Sequence, residues 1–117
     1  MSAMIKNELG KIMLNEDMLA SIAGSAASEN YGIVAMSSKN AGDALLQLVG
    51  SENIKRGVKV TVKDDTHIGI DLYVTLMYGV SLPAVANNTI SNVKYRVEDM
   101  TGLSVEYVNI YVEAIRV

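Results

Sequence analysis

Chemistry in a chain this small would have to come from its histidine, its paired carboxylates, its serines or its glycine-rich turns. His67 is the only histidine, with Asp65 and Asp71 close by in sequence. A lone imidazole can act as a general base or a metal ligand. One histidine with scattered carboxylates has no ligand spacing, however, and reads as a surface residue at the start of a strand. Asp64-Asp65 and Glu98-Asp99 lack the alternating oxygen ligands of a calcium loop. Aspartate is a common turn residue, and Glu98 falls on the polar side of a helix pattern. Ser25 stands outside any G-x-S-x-G frame, and Gly24 lies inside a helix pattern with neither dinucleotide nor Walker spacing. There is no cysteine, which excludes disulfides, thiolate catalysis and thiolate metal ligation. The chain therefore reads as a non-enzyme without cofactor or metal.

The tyrosines are more informative. There are six, with no Phe and no Trp. Tyr73, Tyr107 and Tyr111 fall on strand patterns where alternation puts them on one side together with Lys59, Thr61 and Thr75. An open sheet face bearing tyrosine can pack against another protein, since tyrosine is favoured at interfaces. It can stack bases, as some RNA-binding sheets do, or cross-strand tyrosine pairs can simply stabilise the sheet. A net charge of −3 without a basic run disfavours the nucleic-acid reading.

Those side chains depend on a central strand. From His67 to Tyr78 the apolar residues Ile68, Ile70, Leu72, Val74 and Leu76 recur at every second position, the period of a strand with one face buried. Gly57 to Lys63 alternates in the same way, and Asp64-Asp65-Thr66 joins the two runs into an antiparallel hairpin. Leu9 to Leu14 reads as a first strand, after an aperiodic and frayed Met1 to Glu8. Asn15 caps a helix whose first turn holds Glu16 and Asp17, with a stripe of Leu19, Ile22, Ala23, Ala26 and Ala27. Asn30-Tyr31-Gly32 ends it, and Ile33 to Met36 is a short strand. Ser37 to Gly42 reads as a polar loop, Ala44 to Val49 as one or two helical turns, and Gly50 to Arg56 as a loop. Ser81 and Pro83 open a second helix with a stripe of Ala86, Ile90, Val93, Val97 and Met100, ended by Thr101-Gly102. Ser104 to Val117 is a long last strand, with Val108, Ile110, Val112 and Ala114 on one face and Tyr107, Asn109, Tyr111 and Glu113 on the other. As an edge, it invites pairing unless protected.

The expected architecture is a single α+β domain over residues 1–117. It has two layers, a mixed or antiparallel sheet of about five strands, and helices on one face in the order β-α-β-β-β-α-β. With half its residues hydrophobic and a fifth charged, the chain is globular. The N-terminus lacks a signal-peptide core, and no window approaches the ~20 apolar residues of a membrane span.

Gly10-Lys11-Ile12, Ile22-Ala23-Gly24-Ser25-Ala26-Ala27 and Tyr31-Gly32-Ile33-Val34-Ala35-Met36 are followed by Gly57-Val58, Ile70-Asp71-Leu72-Tyr73, Tyr78-Gly79, Thr101-Gly102-Leu103 and Val108-Asn109-Ile110-Tyr111-Val112. This ordered set resembles the alkaline shock protein family of bacterial envelope-stress proteins, in its compact single-domain Gram-positive branch. The resemblance implies a non-catalytic, cytoplasmic protein; together with the tyrosine-bearing face and the long last strand it leads to the expectation of an interaction module that acts through self-association or a protein partner. For some members that partner is a membrane protein at the cytoplasmic face. The resemblance supplies no catalytic or ligand-binding residues. The chain lacks the charged, low-complexity extensions of longer members.

Overall fold

The computed structural model describes residues 2–37 and 57–117. The expected polar loop, helical turns and loop between residues 38 and 56 lie outside the described residues. The elements run β1 (Ser2–Asn7), β2 (Gly10–Asn15), α1 (Glu16–Ser28), β3 (Ile33–Met36), β4 (Val58–Val62), β5 (His67–Met77), α2 (Leu82–Thr101) and β6 (Ser104–Arg116). The fold is α+β.

β5 is the centre, as its alternation required. Ile68, Ile70, Leu72, Val74 and Leu76 are fully buried. Burial of such side chains contributes on the order of 1.5–3 kcal/mol each. β4 pairs antiparallel with one half of β5, from Val62↔Ile68 to Val58↔Leu72. β3 pairs antiparallel with the other half along the same edge, from Met36↔Val74 to Ile33↔Leu76. The two strands change over at Tyr73, whose N–H donates to Gly57 O at 2.8 Å while its carbonyl accepts from Ser37 N–H at 2.7 Å. A Cβ on Gly57 would come within 2.4 Å of Ser37 O, and its φ is +77°, so glycine fits this junction. On the opposite edge β6 runs parallel to β5 along its whole length. Parallel strands need a crossover, which α2 supplies.

The helices lie side by side on the apolar face, α1 against β3 and β4, α2 against β6. Asn15 caps α1, its side chain accepting from Met18 N–H at 2.8 Å. Ser81 caps α2, and Gly102, with φ of 76°, closes it.

Three details differ from expectation. Residues 2–7 are not frayed: they form β1, paired antiparallel with β2 from Ser2↔Asn15 to Asn7↔Gly10. Asn7 Oδ1 accepts from Leu9 N–H and Gly10 N–H at 2.8 and 3.1 Å, which shapes the turn. Ala3 is buried, Ile5 and Leu14 pack against the core, and Met4 N–H donates to Asp65 O at 2.7 Å. These contacts dock the hairpin at the His67 end of the sheet. In α2 the buried stripe is Val85, Thr89, Val93, Val97 and Thr101, while Ala86 and Ile90 are half-buried and Met100 is exposed. The two threonines tolerate burial because each hydroxyl donates to the carbonyl four residues earlier, Thr89 to Val85 at 2.8 Å and Thr101 to Val97 at 2.6 Å. In β6, bulges at Glu106 and Glu113 break the alternation. Ala114 pairs with Thr75 and so joins the tyrosine side.

Candidate interaction surface

The sheet face opposite the helices is built by register. Thr61 pairs with Gly69, Lys59 with Asp71, Gly69 with Tyr107, Asp71 with Asn109, and Tyr73 with Tyr111. Because one face of a strand holds every second residue, Lys59, Thr61, Tyr73, Thr75, Tyr107 and Tyr111 share one surface. The structure brings all six together.

Tyr73 and Tyr111 stack across β5 and β6, with ring centroids 4.8 Å apart and planes 14° from parallel. Tyr107 lies over Gly69: a Cβ there would fall 2.1 Å from the ring. Glycine in the middle of the central strand thus opens a seat for an aromatic ring on the neighbouring strand. Lys63 Nζ stands 5.5 Å from the centroid of that ring and 3.8 Å from Glu106 Oε1. Asn109 Nδ2 donates to Asp71 Oδ1 at 3.0 Å. Ser37 and Thr75 hydroxyls meet at 2.9 Å. Asp71 and Asn109 lie on the tyrosine face, as the period of two places them, whereas the role of Gly69 was missed from the sequence. The surface has aromatic rings, short polar side chains and charges of both signs.

His67 stands beyond one end of this surface. Its Nδ1 is 2.8 Å from Asp64 Oδ1, so the partner is Asp64 and not Asp65 or Asp71. Asp64 Oδ1 also accepts from Thr66 N–H at 2.9 Å and His67 N–H at 3.0 Å. The turn hydrogen bond from Thr66, followed by the contact with His67, lowers the Asp64 pKa. The Asp64 side chain raises that of His67. The pair is exposed and locks a turn. Glu98 accepts from Val105 N–H at 2.9 Å and so protects an amide at the start of β6. Among the described residues, no group of three or more His, Asp or Glu is placed to hold a metal.

A groove of about 490 Å³ runs between the α1–β3 turn and the start of α2, lined among others by Asn30, Tyr31, Ser81, Asn88 and Asn92. Asn92 Nδ2 donates to Asn30 Oδ1, and Asn30 Nδ2 donates to Ala26 O at 2.8 Å. These amides tie the two helices together, as does Arg96 with Glu29 at 2.8 Å.

A family model described as having cell envelope-related function matches residues 4–117. The chain belongs to the alkaline shock protein 23 family. It is 41% identical to the uncharacterized protein YloU of Bacillus subtilis (strain 168), over all of this chain and 98% of that protein. It is 36% identical to the uncharacterized protein Spy1614 of Streptococcus pyogenes serotype M6, over all of this chain and 97% of that one. A third relative, the uncharacterized protein YqhY of Bacillus subtilis (strain 168), is 36% identical over 92% of this chain and 78% of its own length. No solved structure matches the chain. A general cell envelope-related role follows from membership of the alkaline shock protein 23 family. Among the described residues no helix is long and apolar enough to cross a membrane.

Proposed function

We propose that this member of the family is a non-catalytic interaction protein of the envelope stress response. In this reading it is cytoplasmic and docks its tyrosine-bearing sheet face on a second protein or on another copy of itself. A membrane protein at the inner face of the cell membrane would bring it to the envelope without any span of its own.

The observation that carries this reading is the arrangement of the open face. Two helices cover the apolar side of the sheet, so nothing in the core requires tyrosines on the other side. Yet Tyr73 and Tyr111 stack there with Tyr107 on the same face, set among Thr61, Thr75 and Asn109. Flat rings with polar tips supply large contact area at low ordering cost, the composition of protein interfaces. Base stacking fits less well, because Asp71 and Glu106 stand on or beside this face and oppose phosphate.

The double variant Tyr73→Ser/Tyr111→Ser tests this. Light scattering should show weaker self-association, or pull-down from the native cell should show lost partner capture, at an unchanged circular dichroism spectrum. Unchanged behaviour in both assays would remove the interface assignment.

A further inference from the structure

The outer edge of β6 has a property that the tyrosine face alone does not explain. β6 pairs with β5 on one side only, and among the described residues nothing pairs with the other. Ser37 and Gly57, which flank the undescribed stretch, both sit on the far edge of β5. Natural sheet edges are blunted by charge, proline, bulges or covering elements. On β6 Glu98 protects the Val105 amide, and the bulges with their charged residues stand at Glu106 and Glu113, at either end of the stretch between them. From Tyr107 to Val112 the edge reads YVNIYV, with no charge, proline or glycine. Tyr111, Val112 and Ile115 are 44%, 39% and 42% exposed along it.

We infer that β6 pairs antiparallel with β6 of a second copy, about a twofold axis at Tyr111, joining two four-stranded sheets into one of eight strands. This rests on the interaction reading above and names its partner and contact line. The faces decide the register. With the bulge residues Glu106 and Glu113 set aside, the tyrosine face of β6 runs Tyr107, Asn109, Tyr111, Ala114, Arg116, and the helix face runs Val108, Ile110, Val112, Ile115. Strands that pair must match face to face, because the side-chain period is two. A dyad at Tyr111 then sets Val112 against Ile110 of the second copy and Ile115 against Val108. It covers the three apolar side chains the single chain leaves half in water. On the other face Arg116 meets Tyr107 of the second copy and the adjacent Glu106, an aromatic ring and an opposite charge. The two Tyr111 rings become neighbours. Adjacent strands stand about 4.7–4.9 Å apart, the spacing already seen between Tyr73 and Tyr111, at 4.8 Å. The stack therefore continues across the junction as a row of four rings.

Sedimentation equilibrium on the full chain tests this, with the expected species at twice the 12.6 kDa of one chain. Arg116→Glu places like charges together and should weaken dimerisation on the order of tenfold. Adding Glu106→Arg to it should restore dimerisation, which a merely destabilised fold would not do. The chain has no cysteine, so Tyr111→Cys reports alone. It should form a disulfide-linked dimer under mild oxidation, while Tyr95→Cys on the exposed side of α2 should not. A wild-type chain that stays monomeric, a charge reversal that is not rescued, or equal cross-linking from both cysteines would each overturn the pairing. A monomer that still loses protein capture on Tyr73→Ser/Tyr111→Ser would overturn the dimer and leave the interaction reading standing. A dimer whose capture and association ignore that variant would overturn the face reading and leave the edge.

Discussion

His67 shows how much a single contact can settle. From the sequence it was a surface histidine at a strand start, and it is; its partner was not visible. Asp64 lies three residues away, and only the tight turn at Asp64-Asp65-Thr66 folds its carboxylate back onto the ring. Because the folded His67 pKa is raised, the contact contributes fully below the ordinary histidine value and fades as pH rises through the folded value. Because the Asp64 pKa is lowered, its share is present above the ordinary carboxylate value and fades as pH falls through the folded one. The pair thus helps hold the turn from mildly acid to near-neutral pH. Asp64→Asn keeps an oxygen for the two backbone amides but removes the charge. A proton NMR titration should show His67 titrating above 6.5 in the native chain and returning toward 6.5 in the variant. An unshifted native midpoint would contradict the contact.

At the scale of elements, periodicity carried most of the reading, and its failures have local causes. The strand rule found β5 and β4 because β-branched and leucine side chains alternate there with polar ones. It missed β1, where the inward set is Ala3 and Ile5 and the outward set includes Met4, so the contrast is faint. It misplaced Ala114, because a bulge inserts a residue without marking the sequence. The helix rule chose Met100 over Thr101, since a hydroxyl counts as polar until its bond to Val97 O is seen. The open face was legible in six residues. Gly69 was not, because a residue without a side chain leaves no mark in a pattern of side chains. Caps, by contrast, are written in residue type. Asn15→Ala removes the acceptor for Met18 N–H and should cost about 1 kcal/mol, read as a lower midpoint in urea at unchanged slope.

Over the whole molecule, stability is unevenly spread. β5 has strands on both edges and helices over its apolar face, whereas among the described residues β2 pairs only with β1, and the β1–β2 hairpin leaves Leu9, Ile12 and Met13 in water. Two-stranded hairpins are marginal alone. Native-state hydrogen exchange should therefore show the slowest amides in β5 and much faster ones in β2. Equal protection would mean the hairpin is held by contacts beyond those at Ala3, Ile5 and Leu14.

The parallel pairing of β6 has a consequence for biosynthesis. β3, β4 and β5 can assemble as soon as they leave the ribosome, but β5 keeps one edge bare until α2 and then β6 have emerged. For that interval the strand that carries five of the core's fully buried side chains exposes a backbone edge that nascent neighbours could join. A premature stop after α2 would make the interval permanent, and such a product is a candidate for aggregation or for rapid removal by the cell's proteases.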